Sequence, residues 1–413
     1  MFDLNYFINE KVVKRKDSMF QEDVLAHADE LISSITGESI LVIGGAGSIG
    51  SSFIRAILSF QPSELYVVDT NENDLTELTR SLRSSSAYAD LMPSVYVTYP
   101  MDYSSEAFRR MFTHHKRSNG AFGFDIVANF SAHKHVRSEK DIYSIEALIR
   151  NNVINAKTLL DTLSAIPPKS FFCVSTDKAT NPVNIMGASK RIMEDLVFSY
   201  SDSFKISTAR FANVAFSNGS LPDGFLRRLE QHQPISAPSD VRRFFVSPEE
   251  SGQICMLASM LGDNREIFFP KLEEAHMTTF DYIARELLEA YGYKPIECCC
   301  EEEAISMAET IKKGGRKDKG YPVYFCKADT DGEKSFEEFY TDDESVDVKR
   351  FKSLGVIIDK PTPSKDEVAH VIEELDKAFK NESVNKADIV RIIGEYLPNF
   401  EHIETGKSLD GKM

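Results

Sequence analysis

The sequence predicts an α/β fold, a doubly wound parallel sheet followed by a smaller C-terminal α/β domain. Between residues 39 and 212, short apolar runs alternate with amphipathic segments of ten or more residues. Apolar strands that alternate with helices indicate a parallel sheet that is buried on both faces. The first run leads directly into a glycine-rich turn, which is typical of the NAD(P)-binding Rossmann fold. After residue 213 the alternation fails, which indicates a second domain.

The elements of the first part follow in chain order. A helix is predicted over 18–37, where Ser18 and Gln21 fit a capping box and Gly37 is a stop signal. Six strands are predicted at Ile40–Ile43, Leu65–Val68, Val95–Tyr99, Asp125–Phe130, Phe171–Val174 and Ile206–Phe211. The connecting helices are predicted at 49–60, 73–84, 105–116, 141–164 and 187–200.

The later part is predicted to mix short strands with helices. The strands are Ile267–Phe269 and Val323–Phe325, and the helices are 250–261, 279–291, 301–312, 365–379 and 386–396. The chain therefore divides into an N-terminal helical extension (1–38), an NAD-binding domain with the catalytic residues (39–212), a substrate-binding domain (213–360) and a helical C-terminal extension (361–413). Strands of the substrate-binding domain (213–360) are allowed by this prediction to join the main sheet.

Composition and charge exclude several classes of protein. Of 413 residues, 42% are hydrophobic and 27% are charged, which excludes disordered and fibrous chains. A net charge of −16 repels a phosphate backbone, so no nucleic-acid partner is expected. No window approaches the ~18 to 20 apolar residues of a membrane span, and no signal peptide is recognisable, so a cytoplasmic protein is expected. Six cysteines, three of them consecutive, predict reduced thiols and no metal site.

The acidic surplus is concentrated away from the first domain. Residues 39–212 carry 17 acidic and 18 basic side chains, whereas residues 297–347 carry 15 acidic and 7 basic ones. A nearly neutral first domain can admit an anionic ligand, and the acidic segment is expected to be solvated surface.

The predicted cofactor site begins at the turn Gly44-Gly45-Ala46-Gly47-Ser48-Ile49-Gly50. Glycines there let backbone amides approach a pyrophosphate at the N-terminus of the next helix. Asp69 ends the second strand, where a carboxylate accepts ribose hydroxyls and favours NAD over NADP; a helix N-cap is the alternative. Asp102 can reach the adenine or cap the helix that begins near Ser105. The cofactor-binding residues are predicted to be Gly44, Gly47, Ser48, Ile49, Gly50, Asp69, Asp102, Ser131 and Lys190.

A candidate catalytic segment follows the fifth strand. Thr176, Asp177 and Lys178 lie where that strand ends, and ligands of doubly wound folds bind at the carboxyl ends of the strands. An Asp beside a Lys in a closed pocket provides an acid and a base that tune each other's pKa. A surface loop with ordinary charges is the alternative.

Two motifs carry a resemblance to a known family. STDKATNPVNIMGASKR at 175–191 and GGAGSIG at 44–50 resemble the extended short-chain dehydrogenase/reductase superfamily, and within it the bacterial UDP-N-acetylglucosamine 4,6-dehydratases of polysaccharide biosynthesis. Further matching blocks lie at Ala132–Val136, Asn152, Arg210–Val214, Arg243–Phe245, Pro270–Lys271, Gly332–Lys334 and Glu337–Glu338. The resemblance covers about 39–345.

The resemblance implies a lyase that recycles NAD internally while it converts a UDP-sugar into a 4-keto-6-deoxy product for a surface glycan. Thr176 would hold the C4 oxygen, Lys178 would take the C5 proton, and Asp177 would protonate the departing C6 hydroxyl. Lys190 would hold the nicotinamide ribose. The residues implied to bind the sugar nucleotide are Lys134, His135, Asn213, Arg243 and Glu333.

One position departs from the family pattern. The helix after the fifth strand usually carries Tyr-x-x-x-Lys, and here Met186 stands at the Tyr position while Lys190 is kept. A thioether cannot accept the proton that a phenol would take. Met186 is interpreted as the marker of a branch typified by membrane-anchored relatives, for which the resemblance implies retention at C5. Two candidates remain for the base that takes the proton of the C4 hydroxyl: Asp177, or a water held by Thr176 and Lys190.

Two other functions remain at this stage. A nucleotide-sugar 4-epimerase also oxidises C4, but it needs no Asp–Lys pair and relies on the tyrosine that Met186 replaces. A catalytically silent NAD-binding scaffold would keep the fold without the base, although Asp177, Lys178 and Lys190 are intact. The resemblance also suggests a homo-oligomer, a dimer or larger.

Overall fold

The computed structural model describes residues 2–135, 139–313, 319–327 and 337–403. Its first six strands form a parallel sheet with the bounds β1 Ser39–Ile43, β2 Glu64–Asp69, β3 Val95–Pro100, β4 Ile126–Asn129, β5 Ser170–Thr176 and β6 Lys205–Phe211. They lie side by side in the order β3-β2-β1-β4-β5-β6, all parallel. The strand order reverses between β1 and β4, which opens a cleft at the carboxyl ends of these strands. The predicted doubly wound sheet is confirmed.

The helices of this half pack on both faces of the sheet, except for the short N-terminal helix α1. Their bounds are α1 Leu4–Phe7, α2 Gln21–Ala26, α3 Ala28–Ile35, α4 Ser48–Leu58, α5 Glu72–Ser84, α6 Glu106–His114, α7 Ile142–Ile149, α8 Asn155–Ala165 and α9 Ile185–Phe198. Within β1, Leu41 and Ile43 belong to the core on one face, and Ile40 and Val42 to the core on the other. This alternation follows from the two-residue repeat of a strand.

The single helix predicted over 18–37 is wrong, because the helix breaks at His27 into α2 and α3. Two residues of the predicted apolar stripe are exposed, Leu25 by 66% and Ile32 by 50%. The stripe is therefore not buried along its whole length. The predicted capping box is absent as well: Phe20 precedes α2 without a side-chain cap, and the Ser18 hydroxyl contacts Gln253 instead.

The chain after β6 supplies further strands and helices. The strands are β7 Asn213–Val214, β8 Ile235–Pro238, β9 Arg242–Arg243, β10 Phe245–Val246, β11 Glu266–Pro270, β12 Thr278–Thr279, β13 Lys294–Glu297, β14 Gly320–Cys326, β15 Ser345–Asp347 and β16 Leu354–Asp359. The helices are α10 Leu221–Gln231, α11 Pro248–Leu261, α12 Phe280–Ala290, α13 Glu301–Lys312, α14 Lys365–Phe379 and α15 Lys386–Tyr396.

Three of these later strands join the main sheet. β11 pairs in parallel with β6, β16 pairs antiparallel with β11, and β15 pairs antiparallel with β16. β13, β14 and β8 form a separate small parallel sheet, and β10-β7 and β12-β9 form two-stranded pairs. The division of the chain at residues 212 and 213 stays a prediction.

The two terminal extensions pack against different parts of the molecule. Phe7 and Ile8 lie in a core with Phe225 of α10 and Leu287 of α12. α14 packs against α9 at the other end of the chain, and its Val371 belongs to the core beneath that helix. Among the helices of the described ranges, none has the length and apolar character needed to cross a bilayer.

Candidate active site

The glycine turn after β1 leaves no space for side chains. Gly44 has φ +70°, and a β-carbon there would lie 2.6 Å from the backbone nitrogen of Ser131. A β-carbon at Gly50 would lie 2.4 Å from the carbonyl oxygen of Gly44. Gly47 caps α4 without a side chain, so the amide groups of the first helical turn face the cleft. This turn has the shape that a pyrophosphate needs.

Asp69 and Asp102 lie at the cleft, and neither of them caps a helix. One oxygen of Asp69 accepts a hydrogen bond from the backbone of Ala46 at 3.1 Å, which ties β2 to the glycine turn. The N-cap of α5 is Asn71, and the N-cap of α6 is Ser105. The cap alternatives for both aspartates are therefore wrong. Asp102 is exposed, and its carboxylate accepts hydrogen bonds only from the backbone and hydroxyl of Ser104 among the contacts of the described residues.

A cleft of about 350 Å³ brings most of the predicted cofactor residues together. Its lining includes Gly44, Gly47, Asp69, Asp102 and Ser131. A tight glycine turn, a helix N-terminus and two carboxylates along one cleft fit a dinucleotide, with the pyrophosphate at the turn and the ribose at Asp69.

Ser48 and Ile49 occupy the first turn of α4, beside that cleft. The hydroxyl of Ser48 accepts a hydrogen bond from the backbone of Asn218 at 2.8 Å. This hydrogen bond joins the glycine turn to the loop that precedes α10. The later part of the chain therefore contacts the edge of the cofactor cleft at Ser48.

Thr176, Asp177 and Lys178 form a compact polar group at the end of β5. The Thr176 hydroxyl donates to Asp177 Oδ1 at 2.7 Å, and Lys178 Nζ lies 3.1 and 3.2 Å from the two oxygens of Asp177. Asp177 is 3% exposed, so the alternative of an ordinary surface loop does not fit. The two donors hold the carboxyl group of Asp177 at the end of β5.

Lys190 and Met186 lie one turn apart on α9, which begins after the N-cap Asn184. Lys190 is buried, and its Nζ donates to the carbonyl oxygen of Val174 at 3.1 Å. Burial lowers the pKa of Lys190 from 10.5 to about 8. Met186 is 2% exposed, and its backbone nitrogen donates to a carboxylate oxygen of Glu139 at 2.9 Å.

The predicted helix over 141–164 contains a π-helical turn that links the site elements. This turn, Arg150–Ile154, separates α7 from α8. Asn152 within it exchanges hydrogen bonds with the backbone of His133 at 2.8 and 2.9 Å and donates to the hydroxyl of Ser189 at 3.0 Å. Asn152 therefore fixes the loop after β4 relative to α9. Such π-turns often occur at functional sites.

The residues predicted to bind the sugar nucleotide lie on separate loops. Lys134 and His135 follow β4 on an exposed loop, and a β-carbon at Gly219 would lie 3.1 Å from His135 Nε2. Asn213 begins β7, two residues after the end of β6. Arg243 is buried, with one guanidinium nitrogen 3.0 Å from the carbonyl oxygen of Arg242. Glu333 lies outside the described residues.

Glu337 is a buried carboxyl group of the site for which the sequence analysis assigned no role. It accepts hydrogen bonds from the side chain of Asn213 and from the backbone of Phe244, the latter at 2.8 Å. Burial and the neighbouring Asp177 raise the pKa of Glu337 to about 7. In the sequence, Glu337 was visible only as part of a block that resembles the family. Asp177 lies 160 residues earlier in the chain, so no local pattern indicates that the two carboxyl groups interact.

Comparison with known proteins identifies related sequences. The profile of the family described as polysaccharide biosynthesis protein matches residues 40–358. The probable polysaccharide biosynthesis protein EpsC of Bacillus subtilis is 27% identical over 303 residues, which are 72% of this chain and 48% of that protein. This chain therefore spans about half the length of that relative.

Two further relatives have names that state an activity. The UDP-N-acetylglucosamine 4,6-dehydratase (inverting) of Campylobacter jejuni is 26% identical over 59% of this chain and 69% of that protein. The UDP-glucose 4-epimerase of Rickettsia prowazekii is 25% identical over 62% of this chain and 72% of that protein.

Among solved structures, Pen from Bacillus thuringiensis is similar in fold. The superposition has a TM-score of 0.61 and 20% sequence identity, and it covers 83% of this chain and 98% of that chain. At this level of identity the likeness supports the fold alone.

Proposed function

The chain belongs to the polysaccharide biosynthesis protein family, and on that premise we propose that it is a UDP-N-acetylglucosamine 4,6-dehydratase. The proposed product is UDP-2-acetamido-2,6-dideoxy-4-keto-hexose with the C5 configuration retained. The relative named as a dehydratase with this substrate supports the choice of reaction and sugar.

The pair formed by buried Asp177 and partly exposed Lys178 is the observation that carries the proposal. Loss of water from C5 and C6 of a 4-keto sugar needs a base for the C5 proton and an acid for the C6 oxygen. The carboxylate and the ammonium group lie 3.1 Å apart at the end of β5, with Thr176 beside them. Epimerisation at C4 alone has no use for such a pair.

The cleft beside β1 fits NAD, as its glycine turn, the N-terminus of α4 and Asp69 indicate. Held there, NAD would supply the hydride chemistry that the conversion of C4 and C6 of the sugar needs. Asp69 favours NAD over NADP because its carboxylate repels a 2′-phosphate. Lys190 is proposed to hold the nicotinamide ribose next to the catalytic pair.

The residues at the end of β5 carry the proton steps. Lys178 in its neutral form takes the C5 proton, which the adjacent carbonyl makes acidic. Asp177 in its protonated form donates to the C6 hydroxyl, the C6–O bond breaks, and water leaves. After hydride reaches C6, Lys178 returns a proton to C5 from the same side, which retains the configuration. Thr176 holds the C4 oxygen throughout.

The nucleotide end of the substrate is proposed to lie across the loops after β4 and β6. Lys134 and Arg243 offer donors to the diphosphate, Asn213 offers its side-chain oxygen to the uridine, and His135 lies near the sugar. Glu333 keeps its proposed role on the strength of the family resemblance. A homo-oligomer and a cytoplasmic location remain proposals.

The mass of the product tests the proposal. Purified protein is incubated with UDP-N-acetylglucosamine and NAD, and the sugar nucleotide is analysed by mass spectrometry. A product lighter by one water supports the dehydratase, an isomer of equal mass supports an epimerase, and unchanged substrate supports a silent scaffold. Running the reaction in D₂O adds a check, because the amine of Lys178 then carries deuterons and can return one of them to C5.

A 4-epimerase is the second candidate, favoured by the relative that bears that name. Met186 at the position of the usual tyrosine argues against it, since an epimerase uses that phenol as its base for C4. The mass experiment separates the two reactions directly.

A further inference from the structure

The proposed dehydration needs a place for one more proton than the Asp177–Lys178 pair can hold. The pair shares a single transferable proton, as a carboxylate with an ammonium group or as a carboxyl group with an amine. When Lys178 takes the C5 proton and Asp177 gives its own proton to the C6 oxygen, the pair has no site left that can hold another proton. The proton that leaves the C4 hydroxyl must wait elsewhere until Lys178 has reprotonated C5. Met186 cannot hold it.

Glu337 is buried, and it bonds Asn213, which follows the end of β6 beside the paired end of β5. Its two carboxylate oxygens accept hydrogen bonds from the Asn213 side chain and the Phe244 backbone. The charged groups that act on it are Asp177 and Lys178 at the end of β5 and Arg243 at β9. Glu337 is thus a carboxyl group in electrostatic contact with both members of the catalytic pair.

The segment that carries Glu337 is attached firmly to the sheet. Arg210 of β6 donates to the carbonyl oxygen of Phe339 at 2.9 Å and to both oxygens of Glu344 at 2.8 Å. All of these groups are buried. Arg210 of β6, the strand next to β5, therefore holds the 337–344 segment through Phe339 and Glu344.

We propose that Glu337 stores the proton that leaves the C4 hydroxyl, receives it by way of Asp177, and returns it to the Asp177–Lys178 pair at the end of each cycle. The inference rests on the proposed function. The protons balance: the O4–H proton goes to Glu337, the C5 proton goes to Lys178 and back to C5, and the proton of the pair leaves in water. Transfer from Glu337 then restores the pair.

The acidity of Glu337 suits this task. A store must accept and release a proton near the working pH, and burial together with Asp177 raises the pKa of Glu337 to about 7. Glu337 must begin the cycle ionised, so turnover should rise with pH through this pKa. Below it, turnover should fall about tenfold for each pH unit.

Replacement of Glu337 tests the proposal through the pH profile. In Glu337→Gln, the rising limb near pH 7 should disappear from kcat, and kcat at pH 8 should fall on the order of 10²-fold. Glu337→Asp keeps a titrating group and should keep the limb. The matched control is Glu338→Gln, because Glu338 is the adjacent carboxylate, bonds Asn181 at 2.9 Å, and should leave the limb in place. A limb that persists in Glu337→Gln would overturn the proposal.

A partial reaction separates proton storage from a merely structural role. Exchange of the C5 proton of the 4-keto product with D₂O needs the Asp177–Lys178 pair but no store for the C4 proton. Glu337→Gln should therefore lose far more of its overall turnover than of this exchange. Equal losses in both would show that the substitution only disturbs the pair, and would overturn the proposal.

A readout without turnover keeps this inference distinct from the proposed function. Carboxyl resonances of holoenzyme labelled with [δ-¹³C]glutamate are followed by NMR from pH 5 to 9. One signal should titrate near pH 7 in the parent protein and be missing in Glu337→Gln. If no glutamate titrates between pH 6 and 8, the inference fails even when water is lost from the substrate. If the signal titrates but the parent protein releases no water, the proposed function fails instead.

Discussion

Arg210 is predicted to be the side chain on which the stability of the site most depends. It is fully buried, and it makes bonds of 2.7 and 2.8 Å to the two oxygens of Glu194 besides its bonds to Glu344 and Phe339. Although burial opposes ionisation, Arg210 and Lys360 hold the pKa of Glu194 well below its usual value. Both carboxylates are therefore ionised in the interior and depend on the guanidinium group.

The magnitude follows from what Arg210→Met would leave behind. Glu194 would keep Lys360 at 3.1 Å and the Ser175 hydroxyl at 2.6 Å, and Glu344 would keep Arg191 at 3.2 Å. Removal of one partner from a buried charge network costs about 3–5 kcal/mol. For a chain of this length that unfolds as one unit, this loss lowers Tm by about 4–6 °C.

Urea unfolding followed by circular dichroism measures the effect. Arg109→Met is the control, because Arg109 pairs with Glu106 on the surface, where both side chains are more than half exposed, and such a pair contributes at most about 1 kcal/mol. Glu344→Leu in the Arg210→Met background removes one buried carboxylate that has lost its bonds to Arg210, and it should recover part of the loss. A loss below about 1 kcal/mol in Arg210→Met, with an unchanged m-value, would refute the reasoning.

Three further substitutions test the site. Asp177→Asn should lower kcat on the order of 10²-fold or more while calorimetry shows unchanged affinity for NAD, and near-normal turnover would contradict the acid assignment. Gly44→Ala should abolish NAD binding, because φ is +70° and the added carbon would lie 2.6 Å from the Ser131 backbone; Gly394→Ala, in α15 with nothing within 4 Å of the added carbon, should bind NAD normally. Lys190→Met should stabilise the ligand-free protein by about 3 kcal/mol at pH 7, because the parent protein must bury an ammonium group whose pKa falls from 10.5 to about 8. The unfolded chain binds more protons between these two pKa values, so the gain should shrink as the pH rises from 8 to 10.5, and a gain that does not change with pH would contradict this explanation.

Local sequence patterns were sufficient for the elements that lie in the main sheet and at its carboxyl edge. Buried strands such as β1 and β5 are continuous apolar runs, and α14 and α15 begin and end where their apolar repeats and caps predict. The glycine turn was recognisable because only residues without a side chain fit between β1 and the backbone of Ser131. Each of these features depends on residues that are neighbours in the chain.

Features that depend on distant residues were decided by the tertiary structure. The helix over 18–37 breaks at His27, and the carboxylate of Asp23 in α2 accepts hydrogen bonds from the backbone of Lys352 and Ser353. Asp69 bonds the glycine turn, whereas the local sequence left a helix cap as the alternative to a contact with the ribose.

The sequence by itself determined the parallel sheet, its dinucleotide cleft and the Asp177–Lys178 pair, because apolar periodicity, glycine spacing and adjacency in the chain all act over a few residues. Only the tertiary structure decided that Glu337 interacts with that pair and that Arg210 anchors its segment. β11 returns to pair with β6 more than fifty residues after β6 ends, and β16 and β15 extend the sheet beyond β11. Burial then raises the proton affinity of a carboxylate that would be an ordinary anion in water.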